Sequence, residues 1–135
     1  MPRLGGLWAG AGRAGPSSVE CRDRLAGGPA GQPAAFAAAG GTVGDHTVSH
    51  PDRTRQTLGQ ATAQWAQARR MLGRWLGRAP LMGWSPYGAF DLAVQAAAYS
   101  AGLKTLVGWS AVADGARIRT WDGNGLQPGE IVLLH

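Results

Sequence analysis

The chain has 135 residues, about one domain's worth, with an apolar fraction drawn largely from alanine and 22 glycines, so only a thin core can form. The formal net charge is +5, carried by dispersed arginines with Lys104 as the only lysine; no basic stripe or interleaved aromatic run exists, which argues against nucleic acid as a partner. One cysteine, Cys21, excludes an internal disulfide and a cysteine-built zinc site, and no apolar run is long enough to span a membrane.

Residues 1–33, "MPRLGGLWAGAGRAGPSSVECRDRLAGGPAGQP", are rich in Gly, Ala, Arg and Pro and show neither a helical nor a strand period. Such a segment buries too little surface to offset its ordering entropy, so a loose tail is expected. Its start lacks the continuous apolar stretch of a secretory signal, and localisation stays open.

Regular patterning begins at Ala34, and residues 34–135 read as the domain. "AAFAAAGG" predicts a short helix with a glycine stop. "TVGDHTVSH" predicts a short strand running into a loop. A longer helix follows, with Thr54 as N-cap and an apolar stripe of Leu58, Ala61, Trp65, Ala68, Leu72 and Trp75. Arg69, Arg70 and Arg74 fall on or beside its polar face, and Gly77 and Pro80 end it.

"PLMGW" predicts a strand, "SPYG" a turn, and "FDLAVQAAAYSAG" a second helix closed by Gly102. "LKTLVGW" predicts a further strand, "ADGARIRTWDGNGLQPGE" a run of turns, and "EIVLLH" a last strand. Strands alternating with helices predict an α/β layer or barrel. Ending on a buried strand without a covering helix reads as a cut C-terminus.

His46 and His50 stand four residues apart in a chain with three histidines. Two imidazoles at that spacing can share one divalent ion, to which catalytic sites usually add a carboxylate and a water. By spacing alone, a turn cap plus a surface histidine is the simpler reading. His135 ends the last strand, and in parallel α/β folds functional groups gather past strand C-termini, where a histidine can act as general acid. In "WSPYG" the Pro86-Tyr87-Gly88 turn can aim a backbone N–H outward as an oxyanion donor, although most such turns are only turns. Trp109 can line a sugar groove or simply belong to the core.

Taken in order, "GDHTVSHPD", "SPYGAFD", "GLKTLVGWS" and "GLQPGEIVLLH" resemble the polysaccharide deacetylase family, also called the NodB-homology or carbohydrate esterase family 4 domain. The first resembles its metal-binding H-T-x-S-H-P motif and the second its R-x-P-Y-G motif. The third is similar to the strand before its fourth motif, and the last to its closing L-x-H. The resemblance implies an incomplete distorted (β/α) barrel of the NodB-homology type, acting on N-acetylated polysaccharides such as chitin or peptidoglycan.

It further implies a divalent metal, zinc or cobalt, on His46 and His50. Tyr87 would offer its backbone N–H to the oxyanion, and His135 would protonate the leaving amine. Leu133 would line the acetyl-methyl pocket, with Trp109 and Pro86 also on the substrate.

Two departures bear on activity. The family's T-F-D-D-G motif supplies a base and an aspartate ligand, and no Asp-Asp pair occurs in this sequence. Asp23 has no matching context, and Asp45 would point away from the metal if His46 faces it on an extended backbone. Trp84 stands where the family's arginine pairs with the catalytic aspartate, and Asp114 matches the fourth motif only loosely. Loss of both members of that pair implies low metal affinity and impaired hydrolysis. Truncation or a frame error, a non-catalytic glycan-binding relative, and a decayed product are the competing expectations. Part of a barrel also leaves strand edges unpaired, which predicts marginal stability or self-association.

Overall fold

The computed structural model of the protein describes residues 7–10, 18–19, 31–114 and 116–134. Its organising element is α2, Leu58–Leu76. Thr57 caps it: the hydroxyl accepts from the Gln60 N–H, and the Gln60 side chain accepts in return from the Thr57 N–H, a reciprocal capping box. The expected cap, Thr54, sits instead in a short 3-10 turn, Arg53–Arg55, where its N–H and hydroxyl both donate to Asp52. Gly77 closes the helix in the left-handed conformation.

Trp65, Ala68 and Leu72 of the expected stripe are buried, whereas Leu58 at the helix start is 56 % exposed. Each fully buried large apolar side chain contributes about 1.5–3 kcal/mol by leaving water. α2 separates two clusters. Trp65 packs with Val94, Ala97 and Ala98 of α3, Leu92–Ser100, and with Leu103 and Leu106. Ala68 and Leu72 pack with Val43, and with the partly buried Phe36 of α1, Gly31–Ala38. Arg69, placed on the polar side by its spacing, is half-buried, and its Nε donates to the Pro80 carbonyl at 3.0 Å.

Between the helices runs a small parallel pair, β3 (Met82–Gly83) and β4 (Thr105–Leu106). The expected strand around Asp45 is reduced to bridge residues at Val43 and Asp45, the latter paired in parallel with Gly83. Positive φ at Thr47 (68°) and His50 (50°) turns the chain out of the extended form just beyond it.

A second sheet has the strand order Ser18–Val19 (β2), Leu7–Gly10 (β1), Ile131–Leu134 (β7), Ala111–Asp114 (β5), Arg117–Thr120 (β6). β5 (Ala111–Asp114) pairs in parallel with β7 (Ile131–Leu134) and antiparallel with β6 (Arg117–Thr120). The expected run of turns therefore holds two paired strands, with Asp114 opposite Arg117. β1 (Leu7–Gly10) pairs antiparallel with β7 and with β2 (Ser18–Val19). These two strands lie within residues 1–33, the stretch that shows no side-chain period. Their main-chain pairing needs no side-chain period, which is why the sequence did not announce them.

Candidate functional site

The loop after the Asp45 bridge carries the histidine pair. The His46 and His50 ring centroids are 4.8 Å apart, edge to face. His46 is buried, and its Nδ1 lies 2.7 Å from the Trp84 carbonyl oxygen. A carbonyl only accepts, so Nδ1 carries the hydrogen and Nε2 keeps its lone pair. That is how a metal-binding imidazole is commonly oriented by a second partner.

Trp84 holds His46 in a second way, its indole stacking on the imidazole at 5.1 Å. The indole is itself seated against Gly44, where a Cβ would lie 2.5 Å from Trp84 Cζ3. His50 meets the Tyr87 ring edge-on at 4.6 Å. From α2, the Gln64 side-chain carbonyl accepts from the N–H groups of Val48 and Ser49 and from the Ser49 hydroxyl, at 3.1, 3.1 and 3.2 Å. One side chain thus ties down the strained loop between the histidines.

The Ser85-Pro86-Tyr87-Gly88 turn folds as its composition suggests. Gly88 N–H donates to the Ser85 carbonyl and Ala89 N–H to that of Pro86. Pro86 is buried and Tyr87 takes φ 58°, ψ 15°. Gly88 is required: its φ is +68°, and a Cβ would lie 2.6 Å from Trp109 Cη2. Trp109 therefore packs on the turn, half-buried. Asp91 caps α3 through Oδ1 on the Val94 N–H, and its Oδ2 pairs with Arg53 Nη2 at 2.7 Å.

Asp45 is fully buried beside His46, and its Oδ1 accepts from the Thr47 N–H while Oδ2 has no hydrogen-bond partner among the described residues. Burial pushes its pKa from 3.8 up to about 7, against the opposing pull of the Thr47 N–H and the Arg69 charge.

Two adjacent imidazoles, that of His46 oriented by the Trp84 carbonyl, suit a borderline-soft divalent ion. Among the described residues, however, no group of three His, Cys, Asp or Glu side chains converges, so the carboxylate position of such a site is not filled. His135 lies outside the described residues. Leu133 is half-buried on β7 and lines neither of the two cavities beside Tyr87.

Tyr87, 71 % exposed, borders both of these cavities. One, about 370 Å³, has the charged side chains Asp52, Arg53 and Asp91 in its wall beside Pro86 and Ala89. The Thr54 hydroxyl and N–H hold the Asp52 carboxyl below its usual pKa of 3.8. The other, about 270 Å³, is lined by Tyr87, Phe90, Trp109 and Trp121.

His46, His50, Tyr87, Pro86 and Trp109, the residues singled out by the motif resemblance, lie in one neighbourhood. Sequence reasoning missed Gln64, the Trp84 carbonyl and Trp121. Gln64 carried a faint signal as a polar residue one turn before Ala68 on the helix that follows the histidines. Main-chain acceptors such as that of Trp84 leave no mark in a sequence.

Residues 26–106 match the family model described as polysaccharide deacetylase. The comparison with curated proteins found no match. Several solved structures share the fold. A family 4 carbohydrate esterase from Bacillus anthracis superposes with TM-score 0.69 at 18 % identity, over 87 % of this chain and 53 % of that one. A family 4 carbohydrate esterase from Streptomyces lividans, in complex with acetate, gives 0.62 at 19 %, over 70 % and 49 %. A pseudoenzyme of that esterase family from Bacillus anthracis gives 0.60 at 17 %, over 71 % and 34 %. The chain thus spans between a third and about half of the length of these structures.

Proposed function

The chain belongs to the polysaccharide deacetylase family, and we propose that it is a metal-dependent deacetylase of N-acetylated glycans whose hydrolytic step is impaired. The observation that carries this reading is the His46–His50 pair, with Nδ1 of His46 committed to the Trp84 carbonyl and the Tyr87 turn against His50. His46 and His50 would hold a divalent ion, zinc or cobalt. When bound, such an ion polarises an acetyl carbonyl and makes water a better nucleophile.

This chain's own residues do the rest. Trp84 and Gln64 hold the imidazoles in register. The Tyr87 N–H would meet the oxyanion, since a preformed donor there needs no reorganisation as charge develops. Pro86 and Trp109 would flank the sugar, Leu133 the acetyl methyl, and His135 would deliver a proton to the leaving amine.

The impairment follows from what the residues lack. No Asp-Asp pair occurs in the sequence to supply a base and a carboxylate ligand. Trp84, 1 % exposed and stacked on His46, stands, by the motif resemblance, where the family has the arginine that would partner such a base. A buried arginine without its carboxylate would be strongly unfavourable, so the two losses are mutually consistent.

That same tryptophan favours a second reading, a glycan-binding protein without turnover. Acetate release from chitin oligosaccharides, with and without added zinc or cobalt, tests the first reading. Saturable binding to insoluble chitin or peptidoglycan without acetate release would favour the second.

A further inference from the structure

Three of the exposed large apolar side chains are gathered at one place. Tyr87, Phe90 and Trp121 are 71, 50 and 74 % exposed, and all three line the same cavity as Trp109. Clustered exposure of this kind marks a binding surface, where scattered exposure does not. Trp121 is also held still. Its backbone N–H donates to the Ser110 carbonyl at 3.0 Å, and its indole Nε1–H donates to the Trp109 carbonyl at 2.9 Å. The only polar atom of the indole is therefore satisfied from within, and a face fixed in advance is left to solvent. A ligand stacking there would meet a side chain already ordered, which removes part of the entropic penalty of binding.

The lining selects the ligand's chemistry. No Asp, Glu, Lys or Arg is among the described residues around this cavity. Its volume, about 270 Å³, falls just below the roughly 300–1,000 Å³ of drug-sized sites, which leaves room for one ring. Across Tyr87 the wall changes character to Asp52, Arg53 and Asp91, a set of acceptors and donors suited to hydroxyl groups. A polymer whose units each present an apolar ring face and a polar rim matches both flanks.

We propose that Trp121, with Phe90 and Trp109, forms a stacking subsite for a neutral pyranose unit of a glycan chain. The next unit would lie over Tyr87 and the His46–His50 pair. This rests on the glycan reading of the site, and not on hydrolysis.

The test is a titration of the full chain with a soluble, neutral chitin oligosaccharide in the presence of a chelator, followed by tryptophan fluorescence and calorimetry. Saturable binding is expected, weakened about tenfold or more by Trp121→Ala and largely restored by Trp121→Tyr. Ile118→Ala, on the exposed strand β6, should leave affinity within about twofold. Circular dichroism of each variant separates lost binding from lost fold, and the Trp121→Tyr variant keeps the test valid if Trp121→Ala does not fold. Equal affinity for wild type and Trp121→Ala overturns the proposal. So does an absence of saturable binding by the wild type. Binding that depends on Trp121 without acetate release leaves the subsite standing and fails the hydrolase reading. Acetate release with affinity indifferent to Trp121 does the reverse.

Discussion

From α1 to β4 the chain is built around buried contacts between unlike elements. Trp65 of α2 reaches into α3, the Trp84 carbonyl holds His46, and Gln64 holds the loop between the histidines. In the sheet formed by β5, β6 and β7 with the N-terminal strands, Ala111 is buried, Ile131, Val132 and Leu133 are half-buried, and most of β6 is exposed. The family match, residues 26–106, ends with β4. The contrast shows where chemistry constrains a sequence. The paired histidines of the proposed site have buried, directional support, and that support leaves recognisable residues. A thin sheet asks only for extended backbone, and many sequences satisfy it.

If this contrast is real, truncation should be costly on one side and mild on the other. Leu72→Ala, at a fully buried position, should lose about 2–5 kcal/mol of stability. Ile118→Ala, 54 % exposed on β6, should change stability by less than about 0.5 kcal/mol. Denaturant melts of both variants measure this; similar losses would erase the distinction between the regions.

The buried region should also carry most of the pH dependence. Asp45 keeps its proton up to about pH 7 when folded, against 3.8 when free. The folded state therefore binds more protons between those values, and stability should fall as pH rises from about 4 to about 7. The change is at most about 4 kcal/mol. Thermal melts across that range should show Tm decreasing with pH, and Asp45→Asn should flatten the profile. A wild-type Tm that rises from pH 4 to 7 in step with the variant would refute the assignment.

Gln64→Ala removes the acceptor of the Val48 and Ser49 N–H groups, at partly buried and exposed positions, and should cost about 0.5–1.5 kcal/mol. Its sharper effect should be on cobalt or zinc affinity, read by calorimetry, because the His46–His50 loop loses its anchor. Unchanged metal affinity would mean that Gln64 supports the fold alone.

The smallest effect belongs to the sheet edge. β6 is the outer strand, with Arg117 and Arg119 exposed on it. Replacing both by valine should raise self-association in sedimentation experiments, since edge charges oppose strand-to-strand pairing. No change would mean that β6 is not an accessible edge.

Much of the first region was legible before any coordinates. The α2 stripe and the α3 helix follow from spacing and capping chemistry, whereas the neighbourhood of the two histidines follows from the resemblance to the family's motifs. The errors were local and have physical causes. Thr54 and Thr57 both look like caps, but Asp52 captures Thr54, and Gln60 marks Thr57 by completing the box. The β5–β6 pair hid among Asp-Gly and Asn-Gly signals because β6, "RIRT", faces solvent and shows no buried period. Trp121 passed unnoticed for a related reason. An exposed tryptophan looks incidental until its indole N–H is found on the Trp109 carbonyl.

The central proposal is that His46 and His50 are two parts of a metal site for which no third ligand converges among the described residues. The most direct test is acetate release by the purified protein from chitin oligosaccharides with zinc or cobalt added. The account predicts no release above the protein-free control. Metal-dependent turnover that disappears in His50→Ala would contradict it.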